Sequence, residues 1–210
     1  MFYVPIRLYV GNVNLVAGGG SDWAKASREI HLIDRVFGRL PYPILYKPYR
    51  ARRYLDEDPV LERARRSPNL LVFEKKTDLR YLFRYCWLIV TSRAPTALGL
   101  CLLSRRPLVR IDLPEEVALC DDTAEAFRKE VFYFDAGRSS FHDDLLPFPS
   151  RPRAEIESEW AAMAPDRERL IEEYVGRNDG RSGHRAAHRI VEWLRPAPQG
   201  FSGQIRRVST

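Results

Sequence analysis

The hydrophobic positions of this chain switch repeatedly between short continuous runs and helical spacing, most clearly from Tyr85 to Asp112. Trp87-Leu88-Ile89-Val90 is an apolar run that stops at Thr91-Ser92-Arg93. Ala94-Pro95-Thr96 follow, and Leu98 to Leu103 is apolar again before Ser104-Arg105-Arg106-Pro107 and a second run, Leu108-Val109-Arg110-Ile111. This order predicts strand, turn, helix, strand. Pro95 suits a first helical turn, where its fixed φ is helical and its missing N–H would have no partner; Thr91 or Ser92 supplies an N-cap hydroxyl. Strands with so little polar interruption are covered on both faces, as in a parallel sheet joined by helical crossovers.

The same alternation runs upstream. Ile6 to Val10 predicts a strand closed by Gly11-Asn12, and Ala17-Gly18-Gly19-Gly20 gathers three glycines without the GxGxxG spacing of a dinucleotide loop. After Ser21, the residues Trp23, Ala26, Ile30, Ile33 and Phe37 recur at helical intervals, opposite Asp22, Lys25, Arg28, Glu29 and Arg35. Gly38 and Pro41 end that helix. Ile44-Leu45-Tyr46 and Leu70-Leu71-Val72-Phe73 predict strands, and Asp58-Pro59 and Thr77-Asp78 predict helix starts. Most of the sheet is expected before residue 115.

Beyond Ile111 the rhythm weakens. Asp121 begins a helix, Val131 to Phe134 is a short extended piece, and the polar and proline-rich stretches 135–144 and 145–152 read as irregular. Helices are expected over 155–163 and 166–174. Ser182 caps a last one, with Ala187, Ile190, Val191 and Leu194 on its apolar side and His184, Arg185, His188 and Arg189 on its polar side. The expected fold is therefore α/β: an open, mainly parallel Rossmann-like sheet with additional C-terminal helices. Residues 1–195 are expected to form one domain and 196–210 a loose tail.

Composition narrows the function. Neither Trp87 to Val90 nor Leu98 to Leu103 is long enough to cross a bilayer, and Met1 to Pro5 lacks the basic segment and long apolar region of a secretory signal, so a cytoplasmic location is expected. The formal charge is +6, with arginines grouped at Arg50, Arg52 and Arg53, at Arg63, Arg65 and Arg66, and at Arg181, Arg185 and Arg189. Such a balance suits a nucleotide, a phosphorylated glycan or an anionic membrane surface; the absence of zinc-finger or basic-aromatic spacing argues against nucleic acid. Cys86, Cys101 and Cys120 have no CxxC spacing and read as buried thiols, with no metal or cofactor implied.

The candidate chemistry sits at the carboxyl end of the Trp87 run. Hydroxyls of Thr91, Ser92 and Thr96, the guanidinium of Arg93 and the free N–H groups of a helix start suit a phosphate. The plainer alternative is that Ser92 caps the helix and Arg93 is solvated. Lys47-Pro48-Tyr49-Arg50 places two cations at another strand exit. His142 and His184 titrate near neutrality, but neither has a catalytic partner defined by sequence.

Several motifs occur in a suggestive order: Lys47-Pro48-Tyr49; Asn69 to Phe73 followed by Asp78-Leu79; Trp87 to Thr96; Arg106-Pro107-Leu108-Val109; and Asp179-Gly180-Arg181-Ser182 with Arg189. Together, over roughly Ile44 to Leu194, they resemble the carboxyl-terminal, donor-binding half of a GT-B glycosyltransferase, especially the group of CDP-glycerol glycerophosphotransferases and bacterial surface-polysaccharide or Kdo transferases. The chain departs from that pattern at Arg93-Ala94-Pro95 and at Ala97-Leu98-Gly99. The resemblance implies a nucleotide-activated sugar or polyol-phosphate donor held by Lys47, Thr91, Ser92, Arg93, Thr96, His184, Arg185 and Arg189, without metal. It also implies an opposing half that binds the acceptor and often supplies the catalytic base, since 210 residues do not hold both halves, and a role in surface-polysaccharide synthesis; the basic charge balance adds peripheral contact with an anionic membrane, at the inner membrane surface, as an expectation. The alternatives are a noncatalytic nucleotide-sugar or phosphoglycan-binding protein, or an interaction domain whose arginines meet an acidic protein surface.

Overall fold

Six strands form a single sheet in the computed structural model, which describes residues 1–5, 21–48, 58–92, 96–113 and 120–194. They are β1 (Phe2–Val4), β2 (Ile44–Tyr46), β3 (Leu70–Val72), β4 (Ile89–Thr91), β5 (Leu108–Asp112) and β6 (Phe132–Asp135). Their spatial order is β3-β2-β1-β4-β5-β6 and every neighbouring pair is parallel. This is the order of the doubly wound nucleotide-binding sheet, and it reverses direction between β1 and β4.

The first strand is Phe2–Val4; the strand expected at Ile6 to Val10 lies outside the described residues. Three residues are too few to show a period of two, and Pro5 then ends β1 by withholding a ladder N–H. The sheet also continues past residue 115, because Val131 to Phe134 supplies a full parallel strand against β5.

The connecting helices are α1 (Asp22–Arg35), α2 (Pro59–Arg66), α3 (Leu79–Leu82), α4 (Thr96–Leu103), α5 (Asp121–Glu130), α6 (Phe141–Leu145), α7 (Arg153–Ala162) and α8 (Ala164–Tyr174). Their starts obey local chemistry. Ser21 Oγ accepts from Ala24 N, Asp58 from Val60 N and Leu61 N, and Asp78 from Arg80 N, each relieving an N–H that the first turn leaves unpaired. At the far end of α4, Arg105 takes the left-handed conformation (φ 57°) in which helices commonly stop.

Alternation along the strands assigns the two faces. Tyr3, Tyr46, Val90 and Val109 are in register. Their face meets α1 and the single turn after it, with the Tyr3 and Phe37 rings 4.4 Å apart, and Phe132 continues it against Phe148 at 4.6 Å. Phe2, Ile89, Leu108 and Arg110 point the other way, where Phe2 meets Phe83 and Arg110 meets Phe127 of α5. Both layers are dry: Phe2, Tyr3, Ile33, Phe37, Leu88, Ile89, Leu98, Leu102, Leu108 and Phe127 have no exposed surface. Truncating Phe37 to Ala would cost about 3–5 kcal/mol by opening a cavity between α1 and the sheet.

Two expectations are corrected. Trp23 is 78% exposed rather than on the core stripe of α1, which buries Ala26 and Ile33 as expected and, with Leu32, also Lys25 and Glu29 from the side expected to be polar. The helix is rotated so that a carboxylate meets the hydroxyl of Tyr3. Cys86 and Cys101 are buried as expected, whereas Cys120 precedes the first turn of α5 and is exposed.

The chain divides into two compact units, Met1–Val175 and Gly176–Thr210. The second holds α9 (Ser182–Leu194), none of whose residues is buried. Among the described residues no helix is long and apolar enough to cross a membrane.

Candidate functional site at the carboxyl edge of the sheet

Open parallel sheets bind ligands outside the carboxyl ends of their strands, where the strand order reverses. Here that point lies between β1 and β4. Tyr3 is in register with Val90, so Ser92, two residues on, returns to the Tyr3 face. Glu29 reaches the same place from α1. Tyr3 Oη donates to Glu29 Oε2 at 2.5 Å, Ser92 Oγ donates to Glu29 Oε1 at 3.3 Å, and the two hydroxyl oxygens are 3.4 Å apart. Each oxygen of this carboxylate therefore has a hydroxyl donor, which offsets the cost of burying it. Lys25, one turn earlier on α1, is also buried.

The network shapes its own titration. Burial, and then the charge of Glu29, hold the Tyr3 phenol well above its ordinary range; Tyr46 beside it is raised for the same reasons. Both stay neutral across the physiological range, and Tyr3 stays a hydrogen-bond donor. On the opposite face, Thr91 Oγ1 donates to Val4 O at 3.3 Å and stitches β4 to β1.

Arg110 is another buried ion of this edge. It is in register with Thr91 and only 3% exposed. Nη2 donates to Asp112 Oδ1 at 2.8 Å, the guanidinium sits 5.5 Å from the Phe127 ring centroid, and Nε and Nη1 are buried without a hydrogen-bond partner. Asp112 also accepts from the Tyr133 hydroxyl, whose pKa burial and then this bond push up to about 12. An arginine whose donors are only partly used in a dry setting is suited to an incoming oxyanion.

No family model, curated protein or solved structure matches this chain. Geometry and chemistry therefore carry the functional reading. The order of the parallel strands makes this a Rossmann-like fold, compatible with nucleotide binding in general.

The residues expected to hold a donor fall in two places. Lys47, Thr91 and Ser92 lie at the carboxyl ends of β2 and β4, flanking β1, and Thr96 opens α4. Lys47 Nζ donates to Lys75 O at 2.8 Å and lies 5.4 Å from the Phe73 ring centroid, which fixes the ammonium beside the strand exits. Arg93 lies outside the described residues, as do Tyr49 and Arg50. His184, Arg185 and Arg189 stand on α9, in the second unit. There Arg185 is committed to holding the approach to the helix: Nη1 reaches both oxygens of Asp179 (2.6 and 2.7 Å) and Nη2 reaches Arg177 O and Ser182 Oγ.

Asn69, another residue of the resemblance, has a structural role. Asn69 Nδ2 donates to Phe37 O and Leu40 O, tying the start of β3 to the turn after α1. His142, on α6, is held below the usual imidazole range by burial and then by Arg35 and His31, so it is neutral at neutral pH. Among the described residues no cluster of three His, Cys, Asp or Glu side chains is placed to hold a metal.

Sequence reasoning missed Tyr3, Lys25, Glu29 and Arg110. Two signals were present. Arg110 is a lone cation in an apolar strand, and Lys25 and Glu29 stand four apart, one turn on the same side of a helix.

Proposed function

We propose that the carboxyl edge around the β1–β4 switch binds the phosphates of a nucleotide-activated sugar or polyol-phosphate donor. In this reading the chain is the donor-binding half of a glycosyltransferase acting in surface-polysaccharide synthesis. The observation that carries it is the reversal of strand order between β1 and β4, with Thr91 and Ser92 at the carboxyl end of β4 and the incompletely paired Arg110 on the neighbouring β5 in register with Thr91. A nucleotide donor leaves as a phosphate-bearing group, so the task of this half is to stabilise charge gathering on the departing oxygen. The N–H groups opening α4, the hydroxyls of Thr91, Ser92 and Thr96, and the cations Arg93 and Arg110 have the chemistry for that task. The Tyr3–Glu29–Ser92 network would hold Ser92 and the strand exit in place, and acceptor contacts would come from a second body.

The test is isothermal titration of the purified chain and of Arg93→Ala against CDP-, CMP- and UDP-linked donors, with folding followed by circular dichroism. Saturable binding of at least one donor, weakened about tenfold or more by the substitution, is expected. Absence of binding by the whole panel overturns the reading, as does a bound donor whose phosphates do not touch this edge in a structure of the complex. The chain alone is expected to show little turnover, because donor affinity without a positioned acceptor does not supply reaction geometry. Robust product formation by the chain alone would refute the assignment to one half.

A further inference from the structure

The carboxyl-terminal unit is chemically unlike the rest of the chain. Residues 176–210 contain seven arginines, no lysine and two acids, Asp179 and Glu192, so +5 of the formal +6 resides in this unit and the first 175 residues are close to neutral. Within it, α9 sorts its side chains cleanly. At 3.6 residues per turn, Ala186, Ala187, Ile190, Val191, Trp193 and Leu194 fall in an arc of about 160° that holds no polar side chain. His184, Arg185, His188, Arg189 and Glu192 occupy the remainder.

The apolar arc is in water. Ile190 and Val191 are 54% and 52% exposed, and Trp193 and Leu194 are 82% and 77% exposed. Contiguous large apolar side chains at that exposure mark an interaction surface. The chemistry of the rim identifies what covers it. Glu192, the acid of the helix, is already within reach of Arg189 (3.0 Å) and His188 (3.4 Å), which leaves the polar face cationic. The clamp of Arg185 on Asp179, Arg177 O and Ser182 Oγ pre-forms the turn into the helix. A short helix with a wide apolar arc, a tryptophan in that arc and an arginine-bearing polar face is built to lie in the plane of a membrane interface. Its 13 residues are too few to span one.

We propose that α9 docks this protein on an anionic bilayer surface, with Ile190, Val191, Trp193 and Leu194 at the acyl boundary and the arginines among the headgroup phosphates. The proposal rests on α9 alone and not on the donor reading.

The experiment is flotation of the full chain with vesicles of phosphatidylcholine alone and of phosphatidylcholine mixed about 2 to 1 with phosphatidylglycerol. The chain is expected to float with the mixed vesicles at least about tenfold more tightly than with the neutral ones, and less tightly as salt is raised. The double variant Ile190→Asp, Leu194→Asp should lose at least about tenfold in apparent affinity. Both residues are exposed, so the first unit should remain folded by circular dichroism. Brominated lipid should quench fluorescence of the wild type more than that of Trp193→Phe, which places the indole in the bilayer independently of the double variant. The proposal is overturned if the wild type stays unbound with anionic vesicles at low salt, or if the folded double variant binds as tightly as the wild type. It is equally overturned if the chain binds an acidic polypeptide or an oligonucleotide but not vesicles.

Discussion

Glu29 and Arg110 are both buried at the carboxyl edge of one sheet, on opposite faces, and they are treated differently. Glu29 accepts a hydroxyl on each oxygen, from Tyr3 and Ser92. Arg110 spends one nitrogen on Asp112 and leaves two buried nitrogens, Nε and Nη1, without a hydrogen-bond partner. A satisfied buried ion rigidifies what surrounds it; a partly satisfied one raises the free energy of the fold until something else pairs with it. In the proposed reading the first is scaffold and the second is the group that meets the donor phosphate.

That contrast can be broken by substitution. Glu29→Ala removes the buried acceptor that both hydroxyls use and should destabilise the protein by about 2–4 kcal/mol in urea unfolding. A loss under about 0.5 kcal/mol would mean the network is not scaffold. Tyr3→Phe removes one of the hydroxyl donors to Glu29 and should cost about 1 kcal/mol by the same measurement. Arg110→Met should change stability by less than about 1 kcal/mol, because removing a poorly compensated buried charge offsets the lost ion pair and Asp112 keeps the Tyr133 hydroxyl. A loss as large as that of Glu29→Ala would make Arg110 scaffold too.

The smallest effect is on alkaline stability. Tyr3 ionises later in the folded chain than in the unfolded one, so the folded state holds more protons above pH 10. Its contribution is complete below about pH 10 and is lost as pH rises toward the folded value. Tyr3→Phe should therefore flatten the fall in stability above pH 10. An unchanged slope would show that this phenol is not held neutral by burial and Glu29.

Much of the architecture was legible because burial on both faces forces uninterrupted apolar runs. Ile44-Leu45-Tyr46, Leu70 to Val72 and Leu108 to Ile111 announce strands, and Ser21, Asp58 and Asp78 announce helix starts through cap chemistry local to a few residues. The edge at Thr91 and Ser92 was legible for the same reason. What those hydroxyls touch was not. The partner of Ser92 is 63 residues away on α1, on a side of that helix where charge ordinarily means solvent. Trp23 misled in the opposite direction, since an indole near a helix start fits an apolar stripe whether or not the rotation of the helix buries it. Arg110 could have been flagged from its setting alone, but its orphaned N–H groups are a property of the packed interior.

The central claim, that this edge holds a donor phosphate, is tested most directly by titrating CDP-, CMP- and UDP-linked donors into wild type and Arg110→Met side by side. The account predicts saturable binding by the wild type to at least one donor, and a loss of about tenfold or more in the folded variant. Equal affinity in the two proteins, or no binding by either, would contradict it.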